Sequence, residues 1–128
     1  KDIVFAPFCG IPAGTITATS RIAERSGCKL VPFSHFRRSG KPGYDIYFQP
    51  ALENFPSGDD LVDATVINKT IEQEIKRAPD QYLWMHRRFK TRPNPDDPGF
   101  YGIKLWQHSG SFLNLQPIYC SRWQMLIR

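Results

Sequence analysis

The sequence predicts an α/β fold, a layered mixed sheet with flanking helices, on three observations. β-branched and aromatic runs alternate with helical periods in the order strand, helix, strand, strand, helix, strand. Ile67, Ile71 and Ile75 recur at helical spacing in the second helical segment, giving it an apolar stripe to lay on a sheet. Eleven prolines and nine glycines punctuate the chain into short elements. The expected sheet takes its strands from residues 3–8, 29–36, 44–49 and 82–85, with Ile22, Ile67, Ile71 and Ile75 buried against it.

Each element has a local cause. "DIVFAPF" is β-branched and aromatic and reads as a buried strand end. "CGIPAGT", residues 9–15, reads as a loop by its Gly and Pro content. Thr15 or Thr17 can cap a first helix that runs to about Ser26 and carries Ile16, Thr19, Ile22 and Ala23 on one face. Gly27 then stands where a helix ends with φ above zero. "KLVPFSHF" and "YDIYFQP" flank the turn-rich "RRSGKPG", so they read as a hairpin. In the second helix, residues 61–77, Asp59, Asp60 and Asp63 lie at the start and Lys76 and Arg77 at the end, as the helix dipole favours. Pro79 stops it. "QYLWMH" follows as a short strand or extended segment.

At 128 residues the chain has the size of one ordinary domain and can bury a core, and 41% hydrophobic residues exclude disorder. Seventeen Lys and Arg against twelve Asp and Glu give a net charge of +5. That bias favours polyanions, phosphate-bearing small molecules or an anionic membrane surface without choosing among them. The three cysteines, Cys9, Cys28 and Cys120, are odd in number and widely spaced, which argues for a reducing compartment. No CxxC pair exists and the histidines are scattered, so no metal site and no cofactor is assigned. No apolar run approaches the ~20 residues needed to span a bilayer. The chain begins at Lys1 without an initiator Met, and it is expected to be a piece of a longer protein lacking its N-terminal part. Such a piece would leave a sheet edge or face open and expose apolar surface.

The strongest chemical signal is "QYLWMHRRFKTRP", an apolar aromatic run set directly against Arg87, Arg88, Lys90 and Arg92. A fixed array of this kind suits phosphate or pyrophosphate, because Arg offers planar bidentate donors. Arg37 and Arg38 end another strand and are candidates for the same rim. "GIPAGT" lacks the GxxxxGK[ST] pattern of a nucleotide phosphate loop. A histidine followed five residues later by an acid would be an acyl-transfer base, but His35 is followed there by Gly40, His86 by Thr91 and His108 by Leu113. No catalytic residue is assigned. Asn68-Lys69-Thr70 fits the glycosylation pattern but lies mid-helix and is discounted.

Three stretches, "VFAPFCGIPAGTITATSRIAERSG", "LVPFSHFRR" and above all "APDQYLWMHRRFKTRP", resemble the C-terminal part of the bacterial lipid A late acyltransferases, the lauroyl/myristoyl transferases. The resemblance covers roughly residues 2–101. It implies the C-terminal part of a glycerolipid-acyltransferase-like domain over residues 1–101. It also implies transfer of a fatty acyl chain from acyl carrier protein to a Kdo-lipid A precursor, at the cytoplasmic face of the bacterial inner membrane. The family's His-x4-Asp/Glu pair has no counterpart in this sequence, so this piece is expected to be inactive by itself. Residues 102–128 contain no Asp or Glu, depart from the family, and read as a divergent tail. The substrate-binding expectation falls on Arg87, Arg88, Lys90, Arg92, Arg37 and Arg38, placed at the mouth of a hydrophobic groove to meet lipid phosphates, the phosphopantetheine arm or the inner membrane surface. The competing class is a basic nucleic-acid-binding module, which would need Tyr44, Tyr47 and Phe48 displayed together on an open sheet. No RNP-like or helix-turn-helix pattern supports it, and no nucleic-acid partner is assigned.

Overall fold

The computed structural model describes residues 2–96 and Tyr101. The tail expected over residues 102–128 lies outside the described residues. The elements are β1 (Ile3–Phe8), β2 (Ile11–Ile16), α1 (Ala18–Ser26), β3 (Phe33–Arg37), β4 (Tyr44–Phe48) and α2 (Asp60–Arg77), followed by one 3₁₀ turn (Pro79–Gln81). The class is mixed α/β, as expected. The strands, however, form two separate antiparallel pairs, β1–β2 and β3–β4, instead of one four-stranded sheet.

The first pair corrects the reading of residues 9–15 as a loop. Only Cys9 and Gly10 turn, with φ of 51° and 76°, and Phe8 pairs with Ile11 across them. Two positive φ values in a two-residue connection give the turn that matches strand twist. Cys-Gly conceals it because Asn or Asp normally takes the first place. Pro12 argued for a loop too, but it faces Pro7 across the ladder, where neither residue has an N–H to offer. One face of the hairpin presents Ala6, Phe8, Ala13 and Thr15, all buried, and α2 packs there through Ala64 and Asn68.

The second hairpin forms as expected, with Phe33 opposite Phe48 and Arg37 opposite Tyr44. Its ladder starts at Phe33 and not at Lys29. Gln49 N–H still donates to Pro32 O and Leu52 N–H to Leu30 O, both at 2.9 Å, but Pro32 and Pro50 return no bond. The outward face carries Phe33, Tyr44, Ile46 and Phe48, and all four are exposed.

α1 ends on Gly27, whose φ of 67° lets its N–H reach Ala23 O at 2.9 Å. Its start is held without a side-chain cap: Thr17 N–H donates to Asp2 O and Arg21 N–H to Thr17 O. Arg21 bridges Asp2 at 2.9 Å and Asp60 at 3.3 Å. This pinning turns Ser20 and Ala23 inward, and Ile22, expected in the core, stands 65% exposed. α2 starts as the charges predict. Asp59 Oδ1 accepts from Leu61 N–H at 2.7 Å and Val62 N–H at 3.1 Å, and buried Asp63 accepts from Ser57 N–H at 2.8 Å. Ile67 and Ile75 are half-buried and Ile71 is 38% exposed, because their side of the helix faces a gap toward the second hairpin.

Residues 82–85 form no strand. Pro79 ends the helix but opens a 3₁₀ turn, and the next backbone N–H groups bond two or three residues back. Replacing Asp59 by Ala is expected to lower stability by about 1 kcal/mol, with Ser keeping most of it. Urea unfolding midpoints of the two variants check this.

Candidate functional site

Two neighbouring features make up the site: a buried polar knot under the cationic segment, and an apolar groove beside it. The knot is built on α2. Ala64, Asn68, Ile71 and Ile75 follow helical spacing, so Asn68 interrupts the apolar stripe and is carried into the interface, where its exposure is 0%. Its amide nitrogen donates to Pro7 O at 3.1 Å and to Thr15 Oγ1 at 3.0 Å. Its Oδ1 accepts from Arg88 Nη2 at 2.7 Å, and the same nitrogen reaches Thr15 Oγ1 at 3.2 Å. The Arg88 guanidinium also lies 5.2 Å from the centre of the Phe8 ring. Burial in the knot removes Asn68 as a glycosylation acceptor.

Arg88 is therefore half-buried and held by neutral acceptors. Among the described residues no carboxylate pairs with it, and its buried Nε finds no partner. Its charge reaches Tyr82: burial pushes that phenol above its usual value and Arg88 pulls it partway back. Phe89 turns into the core at 6.0 Å from Phe8, and its N–H donates to the Tyr101 hydroxyl at 3.1 Å. The other cations are placed differently. Arg87 and Lys90 are exposed and make no side-chain hydrogen bond or ion pair among the described residues. Arg92 is half-buried. Arg37 and Arg38 belong to the second hairpin, where Arg37 exchanges backbone hydrogen bonds with the Gln81 side chain and Arg38 pairs with Asp45 at 2.7 Å.

The groove has a volume of about 470 Å³ and runs between Ile67, Ile71 and Ile75 of α2 and the chain from Leu30 to Phe36, with Tyr82 in its wall. One carboxylate, Glu74, crosses it. It accepts from the Ser34 hydroxyl, from Gln49 Nε2 at 2.5 Å and from Arg77 at 3.1 Å, fastening the hairpin to the helix. Arg77 also lies over Tyr47 at 4.3 Å. Tyr47 thus occupies the inward face of β4 while Tyr44 and Phe48 stand on the outward one, so the three do not form one stacking platform.

Residues 1–91 match the family model for bacterial lipid A biosynthesis acyltransferases. The chain belongs to this family. It is 41% identical over 94 residues to the lipid A biosynthesis palmitoleoyltransferase of Escherichia coli K12, covering 73% of this chain and 30% of that protein. It is 42% identical over 94 residues to the lipid A biosynthesis lauroyltransferase of the same organism, with 73% and 31% covered. A lipid A biosynthesis acyltransferase of Haemophilus influenzae is 32% identical over 103 residues, with 79% and 33% covered. The chain thus spans about a third of the length of these relatives. The matched region holds both the knot and the groove. Reading the sequence for charge found Arg88 but not Thr15, Asn68 or Glu74. The polar residue within the α2 stripe was the signal available for Asn68.

The knot predicts strong coupling. Asn68→Ala takes the amide donor from the Pro7 carbonyl and leaves the Arg88 nitrogen only its longer bond to Thr15 Oγ1, and it is expected to cost about 2–3 kcal/mol. Combined with Arg88→Ala, the loss should fall short of additivity by about 1 kcal/mol. A double-mutant cycle on urea midpoints checks this, and additive losses would dissolve the knot. A second expectation concerns Cys9, whose N–H donates to Glu72 at 2.6 Å. Burial, with Glu72 adding to it and Lys76 opposing, pushes its thiol up to about 11. Because the thiolate is the nucleophile, Cys9 should alkylate well after exposed Cys28 near neutral pH and gain about tenfold in rate per pH unit toward its pKa. Peptide mapping of timed iodoacetamide labelling reads both rates.

Proposed function

We propose that this chain forms the acceptor side and part of the acyl groove of a lipid A acyltransferase acting at the cytoplasmic face of the bacterial inner membrane. The reaction is attack of a hydroxyl of a Kdo-lipid A precursor on the thioester of an acyl carrier protein, with the thiol leaving and the hydroxyl proton passing to a general base. No histidine here stands five residues before an acid, so the base is assigned outside this sequence.

The observation that carries the reading is Arg88, a guanidinium held in place by Asn68 and Thr15 without a carboxylate to neutralise it among the described residues. A positioned, uncompensated cation is what an anionic substrate group requires. Arg87, Lys90 and Arg92 extend the positive field along the same segment, with Arg37 and Arg38 at the second hairpin as outlying candidates. The groove, at about 470 Å³, lies within the range of small-molecule sites and suits an aliphatic chain. Tyr82 joins the two parts, since it lines the groove and feels the charge of Arg88.

The test uses a transferase of the relatives' full length that carries this sequence as its corresponding third. Arg87→Ala should raise the acceptor KM about ten- to a hundredfold, the equivalent of ~1.5–3 kcal/mol for one charge-assisted contact, with little change in thermal midpoint. Arg88→Ala should raise KM and lower the midpoint together, because it also unpairs the knot. Lys at position 87 should recover only part of the loss if the contact is bidentate. An unchanged acceptor KM in Arg87→Ala, with the Arg88→Ala defect confined to stability, would make the cluster structural and sink the proposal.

A further inference from the structure

From Tyr82 to Lys90 the backbone closes on itself. Trp84 N–H donates to Tyr82 O at 2.9 Å, His86 N–H to Leu83 O at 3.0 Å, Arg88 N–H to His86 O at 2.8 Å and Lys90 N–H to Arg87 O at 3.1 Å. The Trp84 indole donates to Pro79 O at 2.6 Å and its ring sits edge-on to Tyr82 at 4.9 Å. The inner side of this knuckle is anchored by Arg88 in the knot and Phe89 in the core. Its outer side carries three consecutive apolar side chains, Leu83, Trp84 and Met85, at 67%, 44% and 88% exposure. Exposed His86, Arg87 and Lys90 follow at once. From Ala78 to Pro95 the only acid is Asp80.

We propose that this knuckle is the chain's docking element for an anionic lipid surface. Leu83, Trp84 and Met85 enter the boundary between headgroups and acyl chains, and Arg87 and Lys90 lie on the lipid phosphates. The proposal rests on the membrane-side reading above and names the part that makes the contact. Charge complementarity favours this occupant, with each cation near such a surface contributing roughly fivefold to partitioning. The backbone favours it as well. Four of its carbonyls, at Tyr82, Leu83, His86 and Arg87, are bonded within the knuckle, so fewer polar groups lose water when the tip is buried. Trp beside apolar neighbours and cations is the composition of an interfacial anchor, and three residues rest on a bilayer without spanning it.

The test needs no acyl transfer, so it can fail independently of the transferase reading. The chain is sedimented with vesicles of phosphatidylcholine alone and of equal parts phosphatidylcholine and phosphatidylglycerol. Strong, salt-sensitive binding to the second and little to the first is expected. Leu83→Ser with Met85→Ser should cut that binding about tenfold or more at an unchanged thermal midpoint. Met85→Ser alone, at the most exposed of these positions, gives a smaller loss and guards against misfolding of the pair. Leu61→Ser with Val62→Ser, which removes exposed apolar side chains on α2, should bind like the parent. In a version whose other two tryptophans are Phe, Trp84 fluorescence should be quenched by acyl-chain-brominated lipid. No binding by the parent chain, binding indifferent to the Leu83/Met85 changes, or absent quenching would each overturn the proposal. So would a dimer that the Leu83/Met85 changes dissociate, since the knuckle would then be a protein contact.

Discussion

The packing of this chain turns on one neutral amide. Asn68 sits on α2 at the interface with the first hairpin and bonds to both strands of that hairpin and to Arg88. Burying an amide is costly unless each of its groups finds a partner. Here the two amide hydrogens go to Pro7 O and Thr15 Oγ1, and the oxygen takes the guanidinium. Sliding α2 by a turn would take the Asn68 amide away from Pro7 O, Thr15 Oγ1 and Arg88 together and set it against the apolar surround of Ala6, Ala13 and Ala64. The alanines let helix and hairpin come close, and the amide fixes where they meet. Apolar packing alone would favour many nearby registers about equally.

That constraint propagates into the cationic segment. With Arg88 drawn down to Asn68, the next residue, Phe89, reaches Phe8, and Thr91 passes over β2 with its Cβ 3.8 Å from where a side chain on Gly14 would begin. Arg87 stays exposed. Two adjacent arginines of one signature therefore have opposite surroundings. Charge counting treats them alike because it sees residue type and not the alternation that tight turns impose. Among the described residues the inward arginine is a structural strut with no carboxylate beside it, and the outward one has no side-chain partner.

Much of the architecture was legible where local chemistry decides. Gly27 at the end of α1, Asp59 at the start of α2 and the hairpin around "RRSGKPG" each have a cause within a few residues. The misses have non-local causes. β2 is hidden behind Cys9 and Pro12, and both are tolerated because of partners elsewhere: Glu72 sits 63 residues from Cys9, and Pro7 faces Pro12 across the ladder. Residues 82–85 have strand-like composition but, among the described residues, no strand pairs with them, and Trp84 N–H bonds Tyr82 O nearby. Ile22 has the right spacing for a core residue, yet the bridges of Arg21 to Asp2 and Asp60 orient the helix. Of the site, the cations were visible as a charge pattern. The groove was not, because it exists only through the stand-off of a second hairpin.

That stand-off has its own cause. β3–β4 is held to α2 by polar ties at Glu74 and by the Arg77 guanidinium over Phe36 and Tyr47, and to the following 3₁₀ turn by Gln81 on Arg37. Such ties have fixed lengths and bridge two elements without filling the space between them, whereas apolar side chains would collapse it. The isoleucines of α2 are thereby left lining a gap. The Phe8–Ala13–Phe89 core shares only Ile75 and Tyr82 with that gap among the described residues. An aliphatic chain can therefore enter the groove without disturbing the knot. The two shared residues are also where occupancy of the groove would be felt at Arg88, since Tyr82 stands within its electrostatic reach. Filling the groove removes water from around Tyr82 and strengthens the field of Arg88 locally. Under the function proposed above, an acyl chain in the groove and a phosphate at Arg88 would on that ground favour each other's binding through Tyr82.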